Sequence, residues 1–84
     1  MNSKILVELY VPDLDIKYNV FLPASRKISN IIIDLIKGIN EITDGAYPVS
    51  NRHALMNGET CEIYNNNINV KEAGIKNGTK LLLV

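Results

Sequence analysis

The sequence is poor in the residues that most protein chemistry requires. Among its 84 residues there is one cysteine, Cys61, one histidine, His53, and no tryptophan. A single cysteine excludes an intramolecular disulfide and a multi-cysteine metal site, and it fits a reducing compartment. Nothing in the sequence pairs His53 with Cys61 as a nucleophile needs, so we expect a partly buried packing role for the thiol and a surface position for the histidine. We therefore predict no catalytic residue, no metal site and no cofactor.

The chain also lacks an excess of charge of either sign. Nine lysines and arginines balance nine aspartates and glutamates, so no net field attracts nucleic acid or anionic lipid, and neither is an expected partner. Asp13 and Asp15 resemble a fragment of a calcium loop, but the closing glutamate is missing, and we expect them to be turn residues.

Long apolar runs are absent as well. No stretch approaches the ~18 apolar residues that a membrane span requires. The start, Met1-Asn2-Ser3-Lys4, leads directly into an alternating pattern without the apolar run of a signal peptide. These observations predict a cytoplasmic protein with no direct membrane insertion, folded as one domain over residues 1–84.

One segment supplies most of the hydrophobic periodicity. At 100° per residue, the apolar side chains between Ile28 and Ile42 form a stripe, which predicts a single amphipathic helix with one buried face. The stripe comprises Ile28, Ile31, Ile32, Leu35, Ile39 and Ile42. Of the two remaining isoleucines, Ile33 lies away from the stripe and Ile36 at its flank, and one of them is expected to be exposed or half covered. Ser25 is the best helix-cap candidate, with Lys27 as a second boundary.

The other segments have the patterns of strands. Apolar residues alternate through Ile5–Val11 and Ile16–Leu22, with a turn at Pro12-Asp13 between them, which predicts an N-terminal hairpin. A short third strand is predicted over His53–Met56, an Asn57-Gly58 turn, and a brief fourth strand around Thr60–Tyr64. A helical turn over Val70–Ile75 and a final strand over Lys80–Val84 complete the pattern.

This order of elements resembles the β-grasp fold of ubiquitin. The joint from Val70 to Leu81 has a hydrophobic anchor, a turn ending in Gly74-Ile75, a second glycine turn at Asn77-Gly78 and an apolar strand, and it is similar to many ubiquitin-like domains. In detail it looks most like the bacterial YukD and EsaB family, which accompanies type VII secretion systems. The resemblance implies an α+β fold, with a mixed four- to five-stranded sheet packed on one long helix.

The resemblance also implies a role. Members of this family are non-conjugating accessory or regulatory proteins, so we expect a protein that is not an enzyme and that docks on components or regulators of a type VII secretion apparatus. It would be cytoplasmic, or peripheral to the membrane through a protein partner. The alternative, a β-grasp sulfur carrier or protein modifier, requires a flexible Gly-Gly tail. It is disfavoured because the sequence reaches Val84 inside the predicted final strand.

The expected binding surface is the sheet face turned away from the helix. If Leu81 and Leu83 point inward, alternation sends Leu82 and Val84 outward. For the third strand the pattern leaves two registers open, with either Leu55 or Met56 facing outward. Analogy with ubiquitin favours Leu55. The predicted protein-binding residues are therefore Leu55, Leu82 and Val84.

Overall fold

The structure is a computed structural model that describes residues 3–48 and 52–84. It contains a mixed four-stranded sheet in the order β2-β1-β4-β3 and one long helix, α1. The elements are β1 (Lys4–Val11), β2 (Ile16–Pro23), α1 (Ile28–Thr43), β3 (Leu55–Asn57) and β4 (Lys80–Leu83). β4 runs parallel to β1, and the other two neighbouring pairs are antiparallel. Within the described ranges, no helix has the length and apolar character needed to cross a bilayer.

The N-terminal hairpin forms as its alternation predicts. β1 and β2 pair from Lys4↔Pro23 to Val11↔Ile16 without interruption. Pro12 begins a short 3-10 turn (Pro12–Leu14), which ends at Asp15 in the left-handed conformation with φ of 50°. The Asp15 N–H donates to the Pro12 carbonyl at 3.1 Å. Asp13 and Asp15 are thus turn residues, as expected.

The helix begins later than expected from Ser25, the preferred N-cap candidate. Ile28 is its first residue and Lys27 the N-cap, with no side-chain cap bond, so Ser25 is not the cap. The first amides are satisfied from a distant part of the chain instead: Ile28 N–H donates to the Ile68 carbonyl at 2.9 Å and Ser29 N–H to the Asn66 carbonyl at 3.1 Å. Because these carbonyls fill the role of a capping side chain, a serine at the boundary is unnecessary.

The buried helix face differs from the predicted stripe by one residue. Ile42 is 67% exposed and Ile36 is buried in its place, while Ile33 is 55% exposed. The prediction that one of Ile33 and Ile36 is exposed is confirmed, and the assignment of Ile42 to the core is wrong. Ile42 lies in the last turn of α1, where it lines a groove beside β2.

The segment after the helix has less regular structure than predicted. β3 covers only Leu55–Asn57, and the predicted strand around Thr60–Tyr64 is reduced to an isolated bridge between Met56 and Ile63. The Asn57 side chain closes the intervening turn by accepting from the N–H groups of Glu59 (2.8 Å) and Thr60 (3.0 Å). The sheet accordingly has four strands and not five.

The predicted helical turn over Val70–Ile75 is a run of hydrogen-bonded turns that is too short to count as a helix. Asn69 and Glu72 exchange side-chain bonds with each other's backbone N–H, at 2.7 and 3.1 Å, which is the reciprocal arrangement of a capping box. Val70 and Ile75 are buried. They hold this joint against the core and so position the start of β4.

Candidate protein-binding surface

The sheet has one face under α1 and one open face, and alternation assigns each strand residue to one of them. Val7, Leu9 and Val11 of β1 are buried toward the helix, which leaves Leu6, Glu8 and Tyr10 on the open face. Strand register then aligns the open-face side chains in rows. Tyr10 lies opposite Lys17 on β2 and opposite Leu82 on β4, and Leu82 in turn lies opposite Met56.

Two of the three predicted binding residues are placed on this face. Leu82 is half-buried between Tyr10 and Met56, and Val84 is 41% exposed at the end of β4. Val84 is held there because its N–H donates to the Ala54 carbonyl at 3.0 Å and its carbonyl accepts from the Ala54 N–H at 2.9 Å. That Leu82 and Val84 bind a partner stays a prediction.

The outward orientation predicted for Leu55 is wrong. Leu55 is 0% exposed and pairs with Leu83, which is also 0% exposed. Directly opposed residues of an antiparallel pair share one face, so Leu55 follows Leu83 into the core and Met56 follows Leu82 outward. Met56 therefore takes the position that analogy with ubiquitin gave to Leu55. Tyr10, Met56, Leu82 and Val84 form what we call the open-face patch.

The polar surroundings of the open-face patch carry charges of both signs. The Tyr10 hydroxyl donates to Asp15 Oδ1 at 2.8 Å, and Lys17 Nζ lies 5.8 Å from the centroid of the Tyr10 ring. The hydrogen bond to Asp15 is the main cause that raises the pKa of Tyr10, because it favours the protonated phenol. Alternation also places Lys17, Lys80 and Glu8 on this face beside the patch, with Glu8 opposite Lys80, and Lys4 at the far end of β1. Two lysines are thus matched by two carboxylates, Asp15 and Glu8. A partner with apolar side chains and charged groups of both signs complements such a surface.

A second apolar pair on the open face was missed. Leu6 and Phe21 are cross-strand partners, 39% and 64% exposed, at the end of the hairpin remote from the open-face patch. The signal is present in the sequence, since both residues occupy outward positions of the predicted alternation.

His53 lies against Tyr47: the Tyr47 hydroxyl is 3.1 Å from Nδ1, and Nε2 is 2.8 Å from the Pro48 carbonyl. Nδ1 also lies 3.3 Å from the Val84 carbonyl. Because a carbonyl only accepts, the contact with Pro48 is a hydrogen bond in the tautomer that has its proton on Nε2, and in that tautomer Nδ1 accepts from the Tyr47 hydroxyl. This contact closes over Tyr47, which is 1% exposed. His53 is thus half-buried, and its expected surface role is only partly right.

Cys61 is exposed and adopts a positive φ of 61° in the loop after β3. The expectation that it packs as a small hydrophobe is wrong, because the left-handed turn directs it away from the core. In the part of the chain that the structure describes, no group of three or more histidine, cysteine, aspartate or glutamate side chains is arranged to hold a metal ion. The open-face patch remains the best-defined candidate site.

Comparison with known proteins supplies structural relatives only. No protein-family model matches the chain, and no curated protein sequence matches it. The EccD5 ubiquitin-like domain from Mycobacterium xenopi superposes with a TM-score of 0.79 at 23% identity, over 98% of this chain and 93% of that one. The ubiquitin-like domain of the Mycobacterium tuberculosis type VII secretion system protein EccD1 gives a TM-score of 0.75 at 16% identity, over 98% of each chain. A chain of the MycP5-free ESX-5 inner membrane complex gives 0.78 at 18% identity, over 96% of this chain and 20% of that one.

A protein of a different kind matches equally well. A chain of a toluene 4-monooxygenase complex reaches a TM-score of 0.80 at 10% identity, over 98% of each chain. All of these identities are below 25%, so the shared property is the fold, and fold alone does not fix function. The chain has the ubiquitin-like β-grasp fold.

Proposed function

We propose that this chain is a docking module of a type VII secretion system, which binds another protein of the apparatus or one of its regulators. Three structural neighbours support the proposal, because their names refer to EccD5, to the secretion protein EccD1 and to the ESX-5 inner membrane complex. The joint from Val70 to Leu81, which resembles the YukD and EsaB family, points the same way. In this proposal the domain acts by binding and not by catalysis, in the cytoplasm or at the membrane through its partner.

The position of Leu82 is the main structural support for the proposal. Its neighbours on both sides in the strand, Leu81 and Leu83, are 1% and 0% exposed, whereas Leu82 lies in the open-face patch among Tyr10, Met56 and Val84. Apolar side chains on a sheet that is rigidly backed by a core form a preorganised contact surface, and a few such residues commonly carry most of the binding free energy.

The partner is defined chemically by the patch and its rim. Apolar side chains would cover Leu82, Met56 and Val84. Charged groups of both signs would meet the rim, where Lys17 and Lys80 lie beside Asp15 and Glu8. Because rim charges mainly set the association rate, binding in this arrangement weakens as ionic strength rises.

The test compares two surfaces of the same domain. A Met56→Lys, Leu82→Lys double variant replaces the centre of the open-face patch, and Ile33→Lys makes the same change at an exposed position of the helix. Both variants are first checked for an unchanged circular dichroism spectrum. Each is then used to retrieve proteins from cells that carry the secretion system, with mass spectrometry to identify the apparatus components.

We expect the double variant to lose a component that the wild type and Ile33→Lys both retrieve. A hot-spot residue is worth ~2 kcal/mol, or about 30-fold in affinity, so the loss should be clear by titration of the purified component. Equal affinities of wild type and double variant would exclude the open face, and the helix surface around Ile33 would become the next candidate.

A further inference from the structure

The outer edge of β2 is unpartnered in the described sheet, where β2 is the terminal strand and pairs only with β1. The Ala24 N–H donates to the Ser3 carbonyl at 2.9 Å, which fixes the phase of the ladder. In that phase Tyr18, Val20 and Leu22 bond to β1, and Lys17, Asn19 and Phe21 direct their N–H and C=O groups outward. The bond from Glu8 N–H to the Thr79 carbonyl agrees, because it shows that the even-numbered residues of β1 face β4.

An apolar groove of about 450 Å³ runs between this edge and α1. Its β2 side includes Tyr18 and Val20, and its helix side includes Leu35, Gly38 and Ile42. A methyl group added at Gly38 would meet nothing within 4 Å, so the helix wall leaves the groove open. Ile42, which is 67% exposed, lies along the groove, and Phe21, which is 64% exposed, lies at the same edge with its side chain on the open face. Such an edge is a template for an added strand.

From this geometry we infer that a second copy of this chain binds here, β2 to β2 in antiparallel orientation. When Asn19 is placed opposite Asn19 of the second copy, Lys17 lies opposite Phe21 on both sides of the axis. All three of these residues direct their main-chain groups outward, so each opposed pair exchanges both of its N–H···O bonds. The two sheets become one continuous sheet, and two-fold symmetry makes the contact self-complementary.

Side-chain pairing favours this register over its neighbours. With Tyr18 on the axis, Lys17 lies opposite Asn19 and Phe21 opposite Asp15, so the contact between Lys17 and Phe21 is lost. With Val20 on the axis, Lys17 lies opposite Pro23, which has no N–H to donate, and with Lys17 itself on the axis like charges are opposed. In the proposed register the Lys17 ammonium, already 5.8 Å from the Tyr10 ring centroid, gains the Phe21 ring of the second copy on its other side. On the helix side, Tyr18 lies opposite Val20 of the second copy, and these side chains fill the groove.

The arrangement has a consequence for docking. The two-fold axis is perpendicular to the sheet, so both open-face patches are presented on the same side of the dimer. Two linked binding surfaces engage a repeated partner with an avidity that one domain lacks. The contact uses the outer edge of β2, whereas the open-face patch lies on β1, β3, β4 and the residue after β4. Lys17, on the rim of the patch, contributes to both, so variants at Met56 and Leu82 are the ones that test the patch separately.

The test is sedimentation equilibrium of the whole chain from about 10 μM to about 1 mM, a span that covers weak association. The wild type should show a reversible monomer–dimer equilibrium. Asn19→Pro removes one outward N–H from each protomer without touching the β1 ladder, and it should weaken dimerisation by about tenfold or more. A matched pair, Phe21→Glu and Phe21→Lys, tests the register: the introduced carboxylate faces Lys17 of the second copy, whereas the introduced ammonium repels it.

We expect Phe21→Glu to dimerise more tightly than Phe21→Lys, with a difference that shrinks at high salt. The Met56→Lys, Leu82→Lys double variant should dimerise like the wild type. A wild type that is monomeric throughout overturns the inference and leaves the edge to a strand of another protein. Equal dimerisation of the two Phe21 variants overturns it as well, because it removes the register on which the inference rests.

Discussion

The two faces of the sheet use nearly identical residues for different purposes. Three consecutive leucines make up most of β4, and Leu81 and Leu83 are buried under α1 while Leu82 lies on the open face. No difference in side-chain chemistry separates them. The period of two in a strand, together with the register that β1 imposes, decides which leucine stabilises the fold and which is available to a partner.

Truncation of the two adjacent leucines, Leu81 and Leu82, should give the largest difference between the two faces. Leu81→Ala leaves a cavity in a closely packed core and should lower the free energy of unfolding by about 2–5 kcal/mol. Leu82→Ala makes the same chemical change on the open face and should cost less than about 1 kcal/mol. Urea denaturation followed by circular dichroism measures both values.

Each of these variants serves as the control for the other, because strand propensity changes equally in both. Similar losses of stability would show that the two faces are packed to the same degree. That result would also remove Leu82 from the surface available for docking.

A second contrast concerns two glycines, Gly58 in the turn after β3 and Gly38 in α1. The surroundings of Gly58 are the more crowded. A methyl group at Gly58 would lie 3.1 Å from both the carbonyl oxygen and the Cβ of Lys80, and the Gly58 N–H donates to that oxygen at 2.7 Å. Since backbone atoms cannot easily move, Gly58→Ala should cost about 1–3 kcal/mol. Gly38 is helical with free space around it, so Gly38→Ala should stabilise the protein by about 1 kcal/mol.

The two glycine variants are distinguished by the sign of the change in thermal midpoint. A stabilising Gly58→Ala would mean that β4 and the Asn57–Gly58 turn do not approach each other so closely. A destabilising Gly38→Ala would mean that the groove beside β2 is narrower than the structure indicates.

The first half of the chain was predicted from the sequence more accurately than the second half. The hairpin and the helix were predicted well because they repeat a period over eight to sixteen residues. The Ser25 cap failed because the helix amides are satisfied by Asn66 and Ile68, which lie far away in sequence. Long-range backbone partners of this kind leave no local signal.

Only part of the candidate site was predicted, because the orientation of β3 also depends on a long-range contact. The orientation of Leu82 follows from alternation within one strand, but β3 has only three residues, too few to establish its own phase. Its phase is set by pairing with β4, where Leu55 meets Leu83. The sequence pattern therefore left Leu55 and Met56 as alternatives, and analogy chose the wrong one. The burial of Tyr47 was missed because a single aromatic residue in a loop has no periodicity.

Two tyrosines, Tyr47 beneath His53 and Tyr10 on the open face, differ in burial, and the expected effects of replacing them on stability are the smallest. Burial is the main cause that raises the pKa of Tyr47 above its ordinary value of 10.0, with a smaller effect from the charge of Asp13. The pKa of Tyr10 is also raised, chiefly by its hydrogen bond to Asp15, but this residue lies on the open face. Because a folded protein holds such a proton to higher pH than the unfolded chain, stability is unaffected below about pH 10 and falls as the pH rises above it.

For one tyrosine the decline cannot exceed about 1.4 kcal/mol per pH unit. Tyr47→Phe should therefore flatten the dependence of unfolding free energy on pH between about pH 10 and pH 11. Tyr10→Phe should change it less, since solvent screens the Tyr10–Asp15 contact. Urea midpoints measured at intervals across that range, for wild type and both variants, give the three slopes. A larger effect from Tyr10→Phe would mean that the open face is the more tightly packed of the two tyrosine environments, contrary to the burial of Tyr47 beneath His53.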